Sequence, residues 1–381
     1  MIYLDYNATT PLDGRVLDKM MPYLRDYYGN PSAIYKIAKK PKEAIAWACD
    51  NIAELISSSP AELIFTSGGT ESNNTALFGV AFSHKDKGKH IIISKIEHSA
   101  ILEPAKFLEE LGFKVTYIDV DNYGVIELNR LRDSICEDTV LVSVMYANNE
   151  VGTVQPIKEI SDICRQHGVY FHVDAVAAVG KLDINVKELG IDLLSISAHK
   201  FYGPKGVGVL YVGEAVALSS FIRGGHQQDG RRAGTENVAG IVGLGQAAKI
   251  ALEESARDSK RIVGLRDKLE EGIKKKISDV KVNGHPLKRL YNTCNIYINH
   301  VESESVLMNL DLEEICASAG SACATGNTNP SHVLLAMGIS SVAARGSIRF
   351  SLGKFTKDQD IDRVLDVLPG IVKKLRQMSP L

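Results

Sequence analysis

The stretch "LLSISAHKFYGPKGVGVLYV", residues 193–212, settles the architecture of this chain. Two short apolar runs, rich in β-branched residues, flank a polar turn that contains Gly203 and Pro204. Runs of this length, bounded by turn residues, read as buried strands. Working outward, the same form recurs in "ELIFTSGG" (62–69), "HIIISKIEH" (90–98), "KVTYIDV" (114–120), "TVLVSVMYA" (139–147) and "VYFHVDA" (169–175). With 193–199 and 206–212 these make a seven-stranded set. Helix-like stretches lie between or after them, at 99–112, 156–168 and 236–255. Strand–helix alternation implies an α/β fold with a mostly parallel sheet covered on both faces.

The last third reads differently. Residues 261–277 have helical spacing, 294–301 and 346–353 read as strands, and a final helix starts near Thr356, where Thr356 and Gln359 fit a capping box. A smaller α+β domain is expected to begin near residue 250.

The 381 residues are 45% apolar and 24% charged, enough to bury a large core. The net charge of −2 supplies no basic field for nucleic acid or an acidic membrane surface. "MIYLDYNATTP" lacks the basic and long apolar regions of a signal peptide, and no apolar run approaches the ~18 residues of a membrane helix. A soluble cytoplasmic protein is expected. The six cysteines form no C-x-x-C pair and no zinc-like cluster. Cys49, Cys136, Cys164, Cys294 and Cys316 read as packing residues. Cys323, in "SAGSACATG" (318–326), reads as filler or as a reactive thiol.

In open α/β sheets ligands bind at the carboxyl ends of strands, so the polar residues there carry the chemistry. "TSGGTESNN" (66–74) is either an ordinary strand-to-helix turn or a phosphate cradle whose small residues expose backbone amides, with Thr70 adding a hydroxyl. "IEHSA" offers His98, which could equally be a capping histidine, and "ANNEVG" offers Asn149 or a plain polar turn. Asp174, in an apolar run, needs a cationic partner or serves as a helix cap. Lys200 ends a strand beside the expected crevice, where desolvation would favour its free amine for a Schiff base. "RRAGTEN" (231–237) adds arginines and Thr235 as anion contacts or a surface turn. Together these residues match the needs of pyridoxal phosphate.

In order and spacing, "YLDYNATTP", "GNPS", "FTSGGTESNN", "EHSA", "ANNEVGTVQP", "HVDA", "SAHKFYGPKG", "GGHQQDGRRAGTENV", "GSAC" and "IRFSLG" resemble the cysteine desulfurases of the NifS/IscS type, in the class V aminotransferase group. The resemblance spans essentially the whole chain. It implies PLP fold-type I, with an N-terminal segment (1–14) packing on the small domain, a large cofactor-binding domain (15–250) and a small domain (251–381) carrying the cysteine loop. It implies pyridoxal 5'-phosphate as cofactor, Lys200 as Schiff-base lysine, Asp174 on the pyridine nitrogen and His98 stacked on the ring. Gly69, Thr70, Ser197 and His199 would hold the phosphate, with Thr235 reaching in from the second subunit of a homodimer. Asn149 would lie at the cofactor and substrate, and Arg349 would clamp the substrate carboxylate. The implied reaction converts L-cysteine to L-alanine and leaves a persulfide on Cys323. Its sulfur would go to an IscU-like iron–sulfur scaffold or to a tRNA-thiolation carrier, without direct nucleic-acid or membrane contact. The resemblance supplies no certain metal site, although Cys323 could serve as an iron–sulfur ligand shared with a scaffold.

The chain departs from the family pattern at Ala177, where a glutamine usually donates to the cofactor's phenolic oxygen, and at Tyr35, where a histidine is common. Rival readings are a selenocysteine lyase, a small-molecule aminotransferase that would not need Cys323, and an assembly partner with poor turnover.

Overall fold

The computed structural model describes residues 1–319 and 329–378. In chain order its strands are β1 (Ile2–Tyr3), β2 (Leu63–Thr66), β3 (His90–Ser94), β4 (Lys114–Ile118), β5 (Thr139–Ser143), β6 (Tyr170–Asp174), β7 (Leu193–Ser197), β8 (Gly208–Val212), β9 (Val280–Asn283), β10 (Thr293–Ile298), β11 (Ile315–Cys316) and β12 (Ser347–Ser351). The large sheet has the order β2-β8-β7-β6-β5-β3-β4. Strands β4, β3, β5, β6 and β7 are parallel neighbours, and β8 runs antiparallel to β7 and β2. This is the mostly parallel seven-stranded sheet expected from the alternation. Several strands stop sooner than their apolar runs: β3 ends at Ser94 and β5 at Ser143. The residues beyond them turn out of the ladder and become loops.

Strand periodicity builds two cores. Ile92, Val142, Phe171 and Ile196 face one way, against Ile52 and Leu244 of the helices Lys39–Ile56 and Val238–Lys276. Ile91, Ile93, Leu141 and Leu193 face the other way, against Leu77 and Val80 of the helix Gly69–Ser83. Both faces are covered, so adjacent positions such as Ile91, Ile92 and Ile93 are all fully buried. Burying each such side chain contributes about 1.5–3 kcal/mol, which is why the strands read as unbroken apolar runs.

A third core forms around β9, β10 and β12, which make a three-stranded antiparallel sheet. It contains Ile262, Leu269, Cys294, Ile296, Ile348, Phe350 and Val364, together with Leu4 from the chain's beginning. The two segments expected as helices at 236–255 and 261–277 are one 39-residue helix, Val238–Lys276. Ile250 belongs to the large-sheet core and Ile262 to the third core. The polar stretch between them bridges the two cores through solvent, so it lacks an apolar stripe while remaining helical. The terminal helix is Asp358–Met378, just after Thr356.

Candidate active site

The carboxyl ends of the large sheet's strands converge on a cavity of about 180 Å³. Its lining includes Gly69 and Thr70 after β2, His98 after β3, Asn149 after β5, Asp174 at the end of β6, and Ser197, His199 and Lys200 at and after β7. Each strand delivers its own polar terminus because parallel strands end on the same side of the sheet.

Asp174 is 5% exposed. Its Oδ2 accepts from Asn73 Nδ2 at 2.7 Å and its Oδ1 from the Val176 amide at 2.9 Å. Two donors hold the carboxylate, and no cation among the described residues forms an ion pair with it. Strand β6 is held in turn by His172, whose Nδ1 lies 2.8 Å from Ser143 Oγ and whose Nε2 lies 2.9 Å from Ser195 Oγ. Burial pushes the His172 imidazole down to about 3, so it bridges the neighbouring strands as a neutral ring. Lys200 Nζ donates to the carbonyls of Asn7 at 2.5 Å and Ala8 at 2.9 Å. His199 Nδ1 lies 3.1 Å from Thr9 Oγ1, and burial, then the ammonium groups of Lys200, Lys205 and Lys181, push it down to about 4. Lys181 Nζ donates to Ala177 O at 3.0 Å and Lys200 O at 3.4 Å. Burial, and then Lys200, push the Lys181 ammonium down to about 7.

The turn after β2 is shaped for an anion. Gly68 caps the helix Gly69–Ser83 with a φ of +152° and offers no side chain to its first amides. A Cβ on Gly69 would come within 2.6 Å of Val176 Cγ2. Thr70, Ser197 and His199 border this uncapped helix start. An uncapped first turn with nearby hydroxyls suits a phosphate, and a buried carboxylate across the cavity suits a protonated ring nitrogen. Asn73 Oδ1, buried and without a hydrogen-bond partner among the described residues, leaves an acceptor beside Asp174. These residues fit pyridoxal phosphate. Ala177 also lines the cavity and brings only a methyl to the place of the usual glutamine.

His98 caps the helix Ser99–Glu110, its Nδ1 accepting from the Ala100 amide at 3.1 Å. Glu97 beside it is fully buried; Ser94 Oγ and the Met145 amide donate to its Oε1 at 2.5 and 2.8 Å. Burial pushes the Glu97 carboxyl up to about 8, and Asp174 adds to the rise.

Arg349 is 1% exposed and lies on β12. Its Nη1 donates to Asn149 O at 3.0 Å and its Nη2 pairs with Asp5 at 2.6 Å. Ser318 and Arg349 exchange backbone hydrogen bonds at 3.1 and 2.7 Å. Thirteen residues further on, Ser331 Oγ donates to Glu150 Oε2 at 2.5 Å, and His332 Nε2 lies 2.9 Å from Glu97 O. Cys323 falls between these two anchors and lies outside the described residues.

Thr235 is exposed and does not line its own chain's cavity. The arginines beside it are engaged elsewhere: Arg232 pairs with buried Glu71 at 2.8 Å, and Arg231 donates to the carbonyls of Ala61 and Leu63. Cys164 and Cys294 are buried packing residues, whereas Cys136 is exposed, with Sγ 3.5 Å from His90 Nδ1. Sequence reasoning assigned no part to Asn73, Glu97, Asp5, Lys181 or His172. Asn73 stood inside a quoted motif, and Glu97 adjoined His98. Asp5 carried no local signal for its partner.

The fold and the strand-end site together define a pyridoxal-phosphate-dependent enzyme of fold-type I. Residues 2–364 match the family model described as aminotransferase class-V, and the chain belongs to that family. It is 50% identical over 379 residues to the cysteine desulfurase IscS of Dictyoglomus turgidum, covering 100% of this chain and 96% of that protein. It is 49% identical over 380 residues to the cysteine desulfurase IscS of Methanosarcina thermophila, covering 100% and 94%. Among solved structures it resembles a NifS-like protein with a TM-score of 0.93 at 37% identity, covering 98% of this chain and 99% of that one. It also resembles SspA in complex with cysteine, with a TM-score of 0.82 at 37% identity, covering 94% and 100%. Among the described residues, no helix is long and apolar enough to cross a membrane.

Proposed function

We propose that this chain is a cysteine desulfurase, which converts L-cysteine to L-alanine and retains the sulfur as a persulfide on Cys323. One observation carries the reading. Lys200, Asp174 and the uncapped start of the helix Gly69–Ser83 meet at one cavity, and both flanks of the Cys323 segment bond to residues beside it. The desulfurase names of its full-length relatives support the same reading.

Bound pyridoxal phosphate would supply an electron sink for the substrate's Cα. Gly69, Thr70, Ser197 and His199 would hold its phosphate. Asp174, held by its two hydrogen bonds from Asn73 and Val176, would keep the proton on the ring nitrogen. His98 would stack on the ring and relay protons. Arg349 and Asn149 orient the substrate carboxylate, and the Lys200 amine takes the Cα proton. The Cys323 thiolate then attacks the substrate sulfur. A sulfur–sulfur bond forms, the Cβ–S bond breaks, and the electron pair passes to the three-carbon fragment, which leaves as alanine once protonated. The persulfide passes to an iron–sulfur scaffold or a tRNA-thiolation carrier in the cytoplasm.

In this reading residues 15–250 hold the cofactor, 251–381 carry the cysteine, and 1–14 pack with the small domain. The working form is a homodimer, with Thr235 completing the phosphate site of the other subunit. An apolar cavity of about 670 Å³, bordered by the partly exposed Phe82, Phe107 and Phe221, supports it. It shares Thr70 and Ala100 with the cofactor cavity. Replacing Cys323→Ala tests the function: alanine formation from L-cysteine should fall to background while the bound cofactor's absorption band persists. Undiminished alanine formation would overturn the proposal.

A further inference from the structure

We infer that Asp5 sets the enzyme's affinity for its substrate, as an internal carboxylate that occupies Arg349 before the substrate arrives. The inference rests on the reading of Arg349 as the substrate-carboxylate residue.

Arg349 is almost wholly buried, and a buried guanidinium needs acceptors. It has five N–H donors in a planar fork. One is given to Asp5 Oδ1 at 2.6 Å and one to Asn149 O at 3.0 Å. Its Nε is buried and has no hydrogen-bond partner among the described residues. The guanidinium is therefore oriented and charge-compensated, yet it keeps donors in reserve.

Asp5 is held in this position by the backbone. It forms a bridge with Ser351, two residues along β12 from Arg349, and β1 just before it pairs with β11. The segment then continues into the cavity's other supports. Asn7 Nδ2 donates at 3.0 Å to the same Asn149 carbonyl that Arg349 uses, and the Asn7 and Ala8 carbonyls accept from Lys200. The Asp5 side chain is about one-sixth exposed, at 15%. Its charge is thus incompletely screened where a second carboxylate must bind.

The consequence is electrostatic. The Arg349–Asp5 pair has no net charge, and a substrate carboxylate reaching the spare donors also meets the negative charge of Asp5 close by. Like charges at short range in a partly dry site oppose binding. Asp5 thus does two things: it makes a buried arginine tolerable in the empty site, and it lowers the site's affinity for carboxylates.

The two effects have opposite signs on KM, which makes the test sharp. Asparagine at this position keeps an oxygen acceptor for Arg349 but loses the charge. In the cofactor-loaded enzyme, Asp5→Asn should lower KM for L-cysteine by about tenfold, the weight of one partly screened charge pair. The bound cofactor's absorption band should stay unchanged. Asp5→Ser should lower KM to a smaller extent. A KM that stays level or rises in both Asp5 variants would overturn the inference, since a merely bracing residue can only weaken binding when removed. Arg349→Ala alone should raise KM; if it does not, the carboxylate role of Arg349 fails, whatever the Asp5 variants show.

Discussion

The cavity has two walls of different origin. One is made by the large sheet, where Asp174 and Ser197 end their strands and Gly69, His98 and Lys200 follow a strand end closely. The other is made by Ala8 and Asn149, backed by Asp5, Asn7 and Arg349, which join the chain's beginning to β12 across a sequence separation of 344. The first wall follows from topology, because parallel strands bring every carboxyl end to one side. The second exists only once the N-terminal segment has docked between β11 and β12. The first wall should therefore govern cofactor chemistry and the second substrate affinity.

The most severe way to break the first wall is Lys200→Ala, which should remove the bound cofactor's absorption band and reduce turnover to background. A persisting band would move the Schiff-base role elsewhere. Next, Asp174→Asn keeps the shape but removes the charge facing the ring nitrogen. A charge-assisted hydrogen bond is worth about 1.5–3 kcal/mol, so cofactor affinity or turnover should fall by about one to two orders of magnitude. Asn73→Ala removes one of the two donors to Asp174 and should do the same more mildly, by about tenfold or less. Equal or greater damage from Asn73→Ala would mean that the amide itself touches the cofactor.

A separate expected effect concerns stability and not turnover. Burial pushes the Glu97 carboxyl up from the ordinary 4.5 to about 8. Above pH 4.5 the unfolded chain releases this proton while the folded chain keeps it, so the folded state binds more protons. Stability therefore falls as pH rises through this window and levels off above 8. Glu97→Gln carries no such proton. Thermal unfolding should show the variant gaining on the parent between pH 5 and pH 8. Parallel unfolding curves across that range would show that Glu97 is ionised in the fold.

Much of the first wall was legible because its signals are local. A β-branched run, a polar terminus and a glycine turn all lie within a few residues, as in "LLSISAHKFYGPKG". Even there, strand ends were read too long, since hydrophobicity continues past the last ladder bond at Ser94 and Ser143. The long helix Val238–Lys276 was read as two, because its middle spans two cores and carries no stripe of its own. Arg232 looked available for an anion in sequence and proved to be spent on Glu71.

Apolar periodicity and turn residues were enough to specify the parallel sheet and the set of polar residues at its carboxyl edge, because backbone geometry maps them directly onto one side of one surface. Partners were another matter. That Asn73 steadies Asp174, that the Asn7 and Ala8 carbonyls receive Lys200, and that Asp5 occupies Arg349 depend on side chains from separate elements meeting within about 3 Å. Such meetings arise only when the cores close. Hydrogen bonds and charge pairs act over a few ångströms in space, whatever the distance along the chain.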